Sequence, residues 1–175
     1  MPGSLVVLTG ASGSGKTTLA KTIQERYPNE YEVMFFDSVG VPSSEEMKKW
    51  GGQDPGATWQ RATTLEWFAK LAPILRAGRS VLFEGQMRLA FIHEALDAFQ
   101  ITSAHIVLVD CDDITRAKRL SDERDNPSLA NERMMNWAAY LRVEARQAGC
   151  QILDTCQATL DECVERLHAY LYRAD

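Results

Sequence analysis

The residues best suited to chemistry lie close to the N-terminus. Gly10-Ala11-Ser12-Gly13-Ser14-Gly15-Lys16-Thr17 satisfies the spacing G-x-x-x-x-G-K-[ST], between an apolar run and a helical pattern. Glycines at these places let the backbone wrap so that successive N–H groups face one anion. The first turn of the following helix adds unpaired N–H groups and the positive end of a dipole. Lys16 is placed to bridge the β- and γ-phosphates, and the Thr17 hydroxyl to ligate Mg²⁺, which takes oxygen ligands and phosphate partners. Gly10, Ser12, Gly13, Ser14, Gly15, Lys16, Thr17 and Thr18 are therefore candidate contacts to a nucleoside triphosphate, although Thr18 could equally pack within the helix.

Such a loop works only if a strand delivers it and a helix carries it away. Five short apolar runs are candidate strands: Leu5–Leu8, Val33–Phe36, Val81–Phe83, Ile106–Val109 and Ile152–Leu153. Each is continuous rather than alternating, the pattern of strands covered on both faces. Helical spacing joins Leu65, Phe68, Leu71 and Leu75, with Pro73 expected to kink or end that helix. The same spacing recurs in Met134, Trp137, Ala138, Leu141 and Ala145, and in Leu160, Cys163, Val164, Leu167 and Leu171. Alternating strands and helices imply βαβ crossovers and an α/β fold with helices on both faces of a parallel sheet. Ser38–Thr58 and Ser121–Asn131 break the rhythm, the first around a short helical piece at Glu45–Trp50. Long loops of this kind tend to bind ligands or cover them.

A length of 175 residues suits a single domain, 1–175, that buries a substantial core. Hydrophobic residues at 45% and charged residues at 25% exclude disorder and a disulfide scaffold. The net charge of −5 argues against bulk binding to nucleic acid or an anionic membrane. Cys111, Cys150, Cys156 and Cys163 form no C-x-x-C pair or zinc spacing, and no apolar run is long enough for a signal or span. A cytoplasmic protein with free thiols is the expectation.

Taken with its length, strand count and loop positions, the sequence resembles the small P-loop kinases: nucleoside monophosphate kinases, shikimate kinase and gluconate kinase. The resemblance implies a three-layer α/β/α P-loop NTPase fold with a five-stranded parallel sheet in the order 2-3-1-4-5. It also implies ATP and Mg²⁺ as cofactors, a substrate-binding insert at about 38–61 and a lid at about 120–131. Ligands in such sheets lie beyond the carboxyl ends of the strands. There the resemblance makes Asp37 a binder of the acceptor hydroxyl and a candidate base, with a turn-capping Asp as the plain alternative. Glu84 and Arg88 match the Asp-Gly-x-Pro-Arg end of the third strand in nucleoside monophosphate kinases, with Glu in place of Asp and Met87 in place of Pro. Glu84 is thereby an acceptor or metal-water residue, and Arg88 and Arg61 are acceptor-side cations. Arg119 corresponds to the adenine-stacking arginine and Arg124 to the lid arginine, with Arg116 in reserve because Arg119 and Arg124 are five residues apart where the family has four. The same charges also describe a solvated helix face. Asp154-Thr155 reads as a cap for the last helix, and Trp50 and Trp59 suggest a planar or ring-shaped acceptor.

These readings lead to ATP-dependent phosphoryl transfer to a small molecule, either a nucleoside monophosphate or a hydroxyl-bearing metabolite or antibiotic, by a monomer or homodimer. The alternatives are a nucleotide-dependent ATPase or switch with a protein partner, and a nucleotide binder that has lost catalysis.

Overall fold

In the computed structural model, which describes residues 2–123 and 127–172, five strands form one parallel sheet. They are β1 (Leu5–Thr9), β2 (Tyr31–Phe35), β3 (Ser80–Glu84), β4 (Ala104–Asp110) and β5 (Gln151–Asp154), in the order β2-β3-β1-β4-β5. The expected α/β fold class and strand order are both found. Each apolar run falls in a strand, save that Phe36 begins the turn after β2, and the period of two divides its residues between faces. Val6, Leu8, Leu82, Val107 and Val109 pack under helices α1 (Lys16–Arg26) and α7 (Leu160–Leu171). Leu5, Val7, Val81 and Phe83 face α3 (Pro55–Arg76) and α4 (Leu89–Ala98), while Leu108 meets Leu141 and Ala145 of α6 (Glu132–Gln147). Burial on both faces is why β1, β3 and the second half of β4 do not alternate with polar residues.

Register brings the strand ends together. Leu8 pairs with Glu84, Thr9 with Leu108, Phe35 with Glu84 and Asp110 with Asp154. Thr9, Glu84, Asp110 and Asp154 thus end at one edge, where the loops after β1, β3 and β4 begin. Close packing holds this edge. A Cβ on Gly85 would lie 2.4 Å from Cβ of Phe36, so only glycine lets the β3 end pass the turn after β2.

Three expectations need correction. The helix around Leu65–Leu75 does not end at Pro73; it runs to Arg76 with the proline inside its last turn, where the missing N–H forgoes one i→i−4 bond. The insert is more ordered than a loop: a 3₁₀ turn spans Phe36–Val39, α2 spans Ser44–Lys48 rather than Glu45–Trp50, and α3 already begins at Pro55. Ser43 and Glu46 form a capping box on α2. Gly40 (φ +85°) and Gly51 (φ +68°), which flank α2, take left-handed backbone with open space around them. Asp154-Thr155 is not the cap of α7; that role belongs to Thr159 and Glu162, again a capping box.

The close approach at the β3 end gives a first test. Gly85→Ala should destabilise the fold by about 1–3 kcal/mol through overpacking against Phe36. Urea unfolding at equilibrium would measure it, and an unchanged midpoint would contradict the packing.

Candidate active site

The loop between β1 and α1 closes over the sheet edge. Gly15 adopts φ +97° immediately before Lys16, and α1 starts with no side-chain cap and no acid in its first turn. An uncapped helix start with a lysine at its first position suits an anion. The Ser14 hydroxyl is buried in the same loop without a hydrogen-bond partner.

The reactive corner forms where β3 ends beside this helix. Lys16 is 5% exposed and its Nζ lies 3.6 Å from Glu84 Oε1; Glu84 is 6% exposed. The Thr17 hydroxyl donates to the same Glu84 oxygen at 3.3 Å. A hydroxyl and a carboxylate side by side are the hard oxygen pair that suits Mg²⁺, which keeps few protein ligands and takes the rest from phosphate and water. Thr17 and Glu84 therefore fit the metal. Among the described residues no cluster of three or more His, Cys, Asp and Glu side chains offers a metal site of its own.

Asp37 is exposed on the 3₁₀ turn after β2, next to Phe36, whose ring packs on Gly85. The acceptor-side candidates separate. Arg88 donates to Asp54 Oδ2 at 2.8 Å, and its guanidinium lies 5.6 Å from the Trp137 ring, with Phe91 and Tyr140 also around it. Asp54 also caps α3, and its bond from the Ala57 N–H, together with Arg88, holds its carboxyl below the usual range. Arg61 is exposed and turned toward Glu94 of α4 in a two-pronged ion pair. Trp59 is a core residue, edge-on to Phe36 at 5.6 Å, while Trp50 is 42% exposed. Thr18 is exposed on α1, where its carbonyl accepts from Thr22.

The arginines after β4 also divide. Arg124 lies outside the described residues. Arg116, held in reserve for the lid, is instead wholly buried on α5 (Asp113–Lys118), because Asp110 draws it inward with a 2.7 Å bond. Arg119 directs one edge at the loop, donating to Gly13 O, Ser14 O and the Thr155 hydroxyl. Residues Arg119–Glu123 form a π turn, which takes up one residue more than an α turn.

Sequence reasoning passed over the groups that brace this edge. Thr9 donates to Met87 O at 2.6 Å, Ser12 to Gln86 Oε1 at 3.2 Å, and Gln60 clamps the 86–88 segment through Gln86 O and the Arg88 N–H. Thr155 donates to Ser14 O at 2.9 Å, and Asp110 accepts from Arg142 Nε at 2.6 Å. Asp110, as the acid ending β4, carried a signal in the sequence; Arg142 and Gln60 carried none.

An α/β/α sheet with a glycine-rich turn leading into an uncapped, lysine-bearing helix defines a P-loop nucleotide-binding fold. Residues 6–135 match the family model described as AAA domain, and the chain belongs to that family. Comparison with curated proteins gives no match. Among solved structures, a sugar kinase from Janibacter sp. HTCC2649 is 19% identical with TM-score 0.68, over 97% of this chain and 95% of that one. A gluconokinase from Sinorhizobium meliloti 1021 is 21% identical with TM-score 0.63, covering 97% and 91%. A shikimate kinase from Acinetobacter baumannii, solved with shikimate, is 18% identical with TM-score 0.58, covering 98% and 93%. These likenesses bear out the small P-loop kinase fold. No helix among the described residues is long and apolar enough to cross a membrane.

Thiol chemistry reports on this edge. Cys111 is buried with its Sγ 3.5 Å from Gly13 O, and burial pushes its thiol up to about 11; Cys156 is exposed. Its thiolate appears only as pH rises toward that value, so at pH 8 it stays protonated. Iodoacetamide at pH 8 should modify Cys156 at least about tenfold faster than Cys111, as read by peptide mass spectrometry. Equal rates would mean that the loop does not cover Cys111.

Proposed function

We propose that this chain is an ATP- and Mg²⁺-dependent kinase that phosphorylates a hydroxyl group of a small molecule. The observation that carries the reading is the convergence of Lys16 and Thr17 on Glu84 at the uncapped start of α1. The N–H groups of Gly13–Thr17 and the Lys16 ammonium hold the β- and γ-phosphates of ATP. Thr17 and Glu84 would hold Mg²⁺, which when bound neutralises charge on the phosphate oxygens. Arg119 borders the nucleotide, and Arg124 is the cation proposed for the transferred group.

Asp37 orients the acceptor hydroxyl and accepts its proton. The acceptor oxygen forms a bond to the γ-phosphorus as the bond from that phosphorus to the β–γ bridging oxygen breaks, leaving ADP. Positioning and charge account for most of the rate in such a reaction.

A hydroxyl acceptor is favoured over a nucleoside monophosphate by charge. A phosphate dianion calls for several acceptor-side cations, whereas Arg88 is matched by Asp54 and Arg61 by Glu94. The structural relatives named as sugar, gluconate and shikimate kinases point the same way. We place the enzyme in the cytoplasm, as a monomer or homodimer that needs neither nucleic acid nor membrane.

ADP release from MgATP, followed with separate pools of hydroxyl compounds and nucleoside monophosphates, tests this. The hydroxyl pool should stimulate turnover; Lys16→Ala should lower it at least about a hundredfold. Asp37→Asn should lower kcat by about 10²–10³ while MgADP still binds. Stimulation by the monophosphate pool alone, or by neither, would overturn the assignment.

A further inference from the structure

A loop that aims its N–H groups at phosphate turns its carbonyls toward the protein, where they need donors. Here arginines behind the loop supply several of them. Arg116 Nη1 donates to Ser12 O at 2.9 Å, and Arg119 Nη1 reaches Gly13 O at 3.4 Å and Ser14 O at 3.3 Å. Arg116 also forms the floor of the loop: a Cβ on Gly13 would meet Arg116 Cγ and Leu120 Cγ at 3.1 Å. Arg116 is 0% exposed, so its charge must be balanced in place. Asp110 does so, accepting from Arg116 Nη2 at 2.7 Å and, with its other oxygen, from Arg142 Nε at 2.6 Å. Both guanidinium groups also donate to Cys111 O.

We propose that Arg116 is a positioning residue for the phosphate loop, and that Asp110 and Arg142 link its placement to helix α6, which follows the proposed lid. The inference deepens the nucleotide-binding half of the proposed function and rests on it. Arg116 touches no phosphate; it fixes the carbonyl of Ser12 and the seat of Gly13, and so the direction of the neighbouring N–H groups. A lysine at 116 would keep the charge but not the planar fork that spans Ser12 O, Asp110 and Cys111 O.

Isothermal titration of MgADP and of magnesium pyrophosphate decides it, using wild type, Arg116→Lys and Arg142→Gln, with thermal unfolding alongside. Titration separates the number of competent sites from their affinity, so a role in folding alone would lower stoichiometry at unchanged Kd. Arg116→Lys should instead raise Kd for both ligands about tenfold at a stoichiometry near one. Arg142→Gln, at a residue whose side chain is 27% exposed, leaves the Arg116–Asp110 pair intact and should raise both by about threefold. An Arg116→Lys Kd within about twofold of wild type, or a loss confined to stoichiometry, overturns the positioning role. An unchanged Kd in Arg142→Gln overturns the link to α6, and this variant decides the matter if Arg116→Lys does not fold. If wild type binds neither ligand, the phosphate-loop assignment fails and the inference falls with it; normal wild-type binding with insensitive variants removes the inference alone.

Discussion

Asp110 carries two guanidinium groups on one carboxylate, at a place where neither arginine could be buried or half-buried alone. From that pair of bonds the nucleotide side of the molecule can be rebuilt. Asp110 reaches its position because β4 is the longest strand and pairs with β1 up to Thr9, so its end stands beside the glycine-rich turn. Arg116 follows six positions later, at the end of the first turn of α5, which lets it fold back under the turn it supports. Thr155 closes the arrangement just after β5, donating its hydroxyl to Ser14 O and its backbone N–H to Asp110 O. Two segments distant in sequence, 111–119 and Thr155, thus satisfy the inward-facing carbonyls of one loop.

The acceptor side is organised differently. Its polar groups are exposed and matched in pairs, Arg88 with Asp54 and Arg61 with Glu94, and their mutual attraction is screened by water. The bracing groups there are backbone clamps: half-buried Gln60 on the 86–88 segment, buried Thr9 on Met87, and the Trp67 indole N–H on Phe36 O. These fix the end of β3 and the turn after β2, from which Glu84 and Asp37 project. One side of the cleft is held by buried charge and the other by neutral hydrogen bonds.

Much of this was legible in the sequence, for reasons that particular residues make clear. The strands were readable because continuous runs such as Leu5–Leu8 and Val81–Phe83 are buried on both faces. The loop was readable because its glycines, lysine and threonine are contiguous. Other features were hidden by distance or competition. Arg142 is 32 positions from Asp110 and occupies an ordinary helical place in α6, so nothing local marks it. Arg116 looked like a surface charge among Asp112, Asp113 and Lys118, and only its encounter with Asp110 buries it. Trp59 looked available to a ring-shaped ligand, yet it lies on the apolar face of α3 against Phe36. Asp154-Thr155 looked like a helix cap because residue type alone cannot tell that Thr159, five positions after Asp154, has the capping partner.

The insert between β2 and α3 leaves and rejoins the core through Gly40 and Gly51, backbone shapes that other residues adopt only with strain, with empty space on both. Between them α2 folds with its own capping box and meets the core through Met47. The segment is in effect a cassette. Its side chains could change without disturbing the glycine-rich loop, so under the proposed function the choice of acceptor is the trait most open to change in this scaffold.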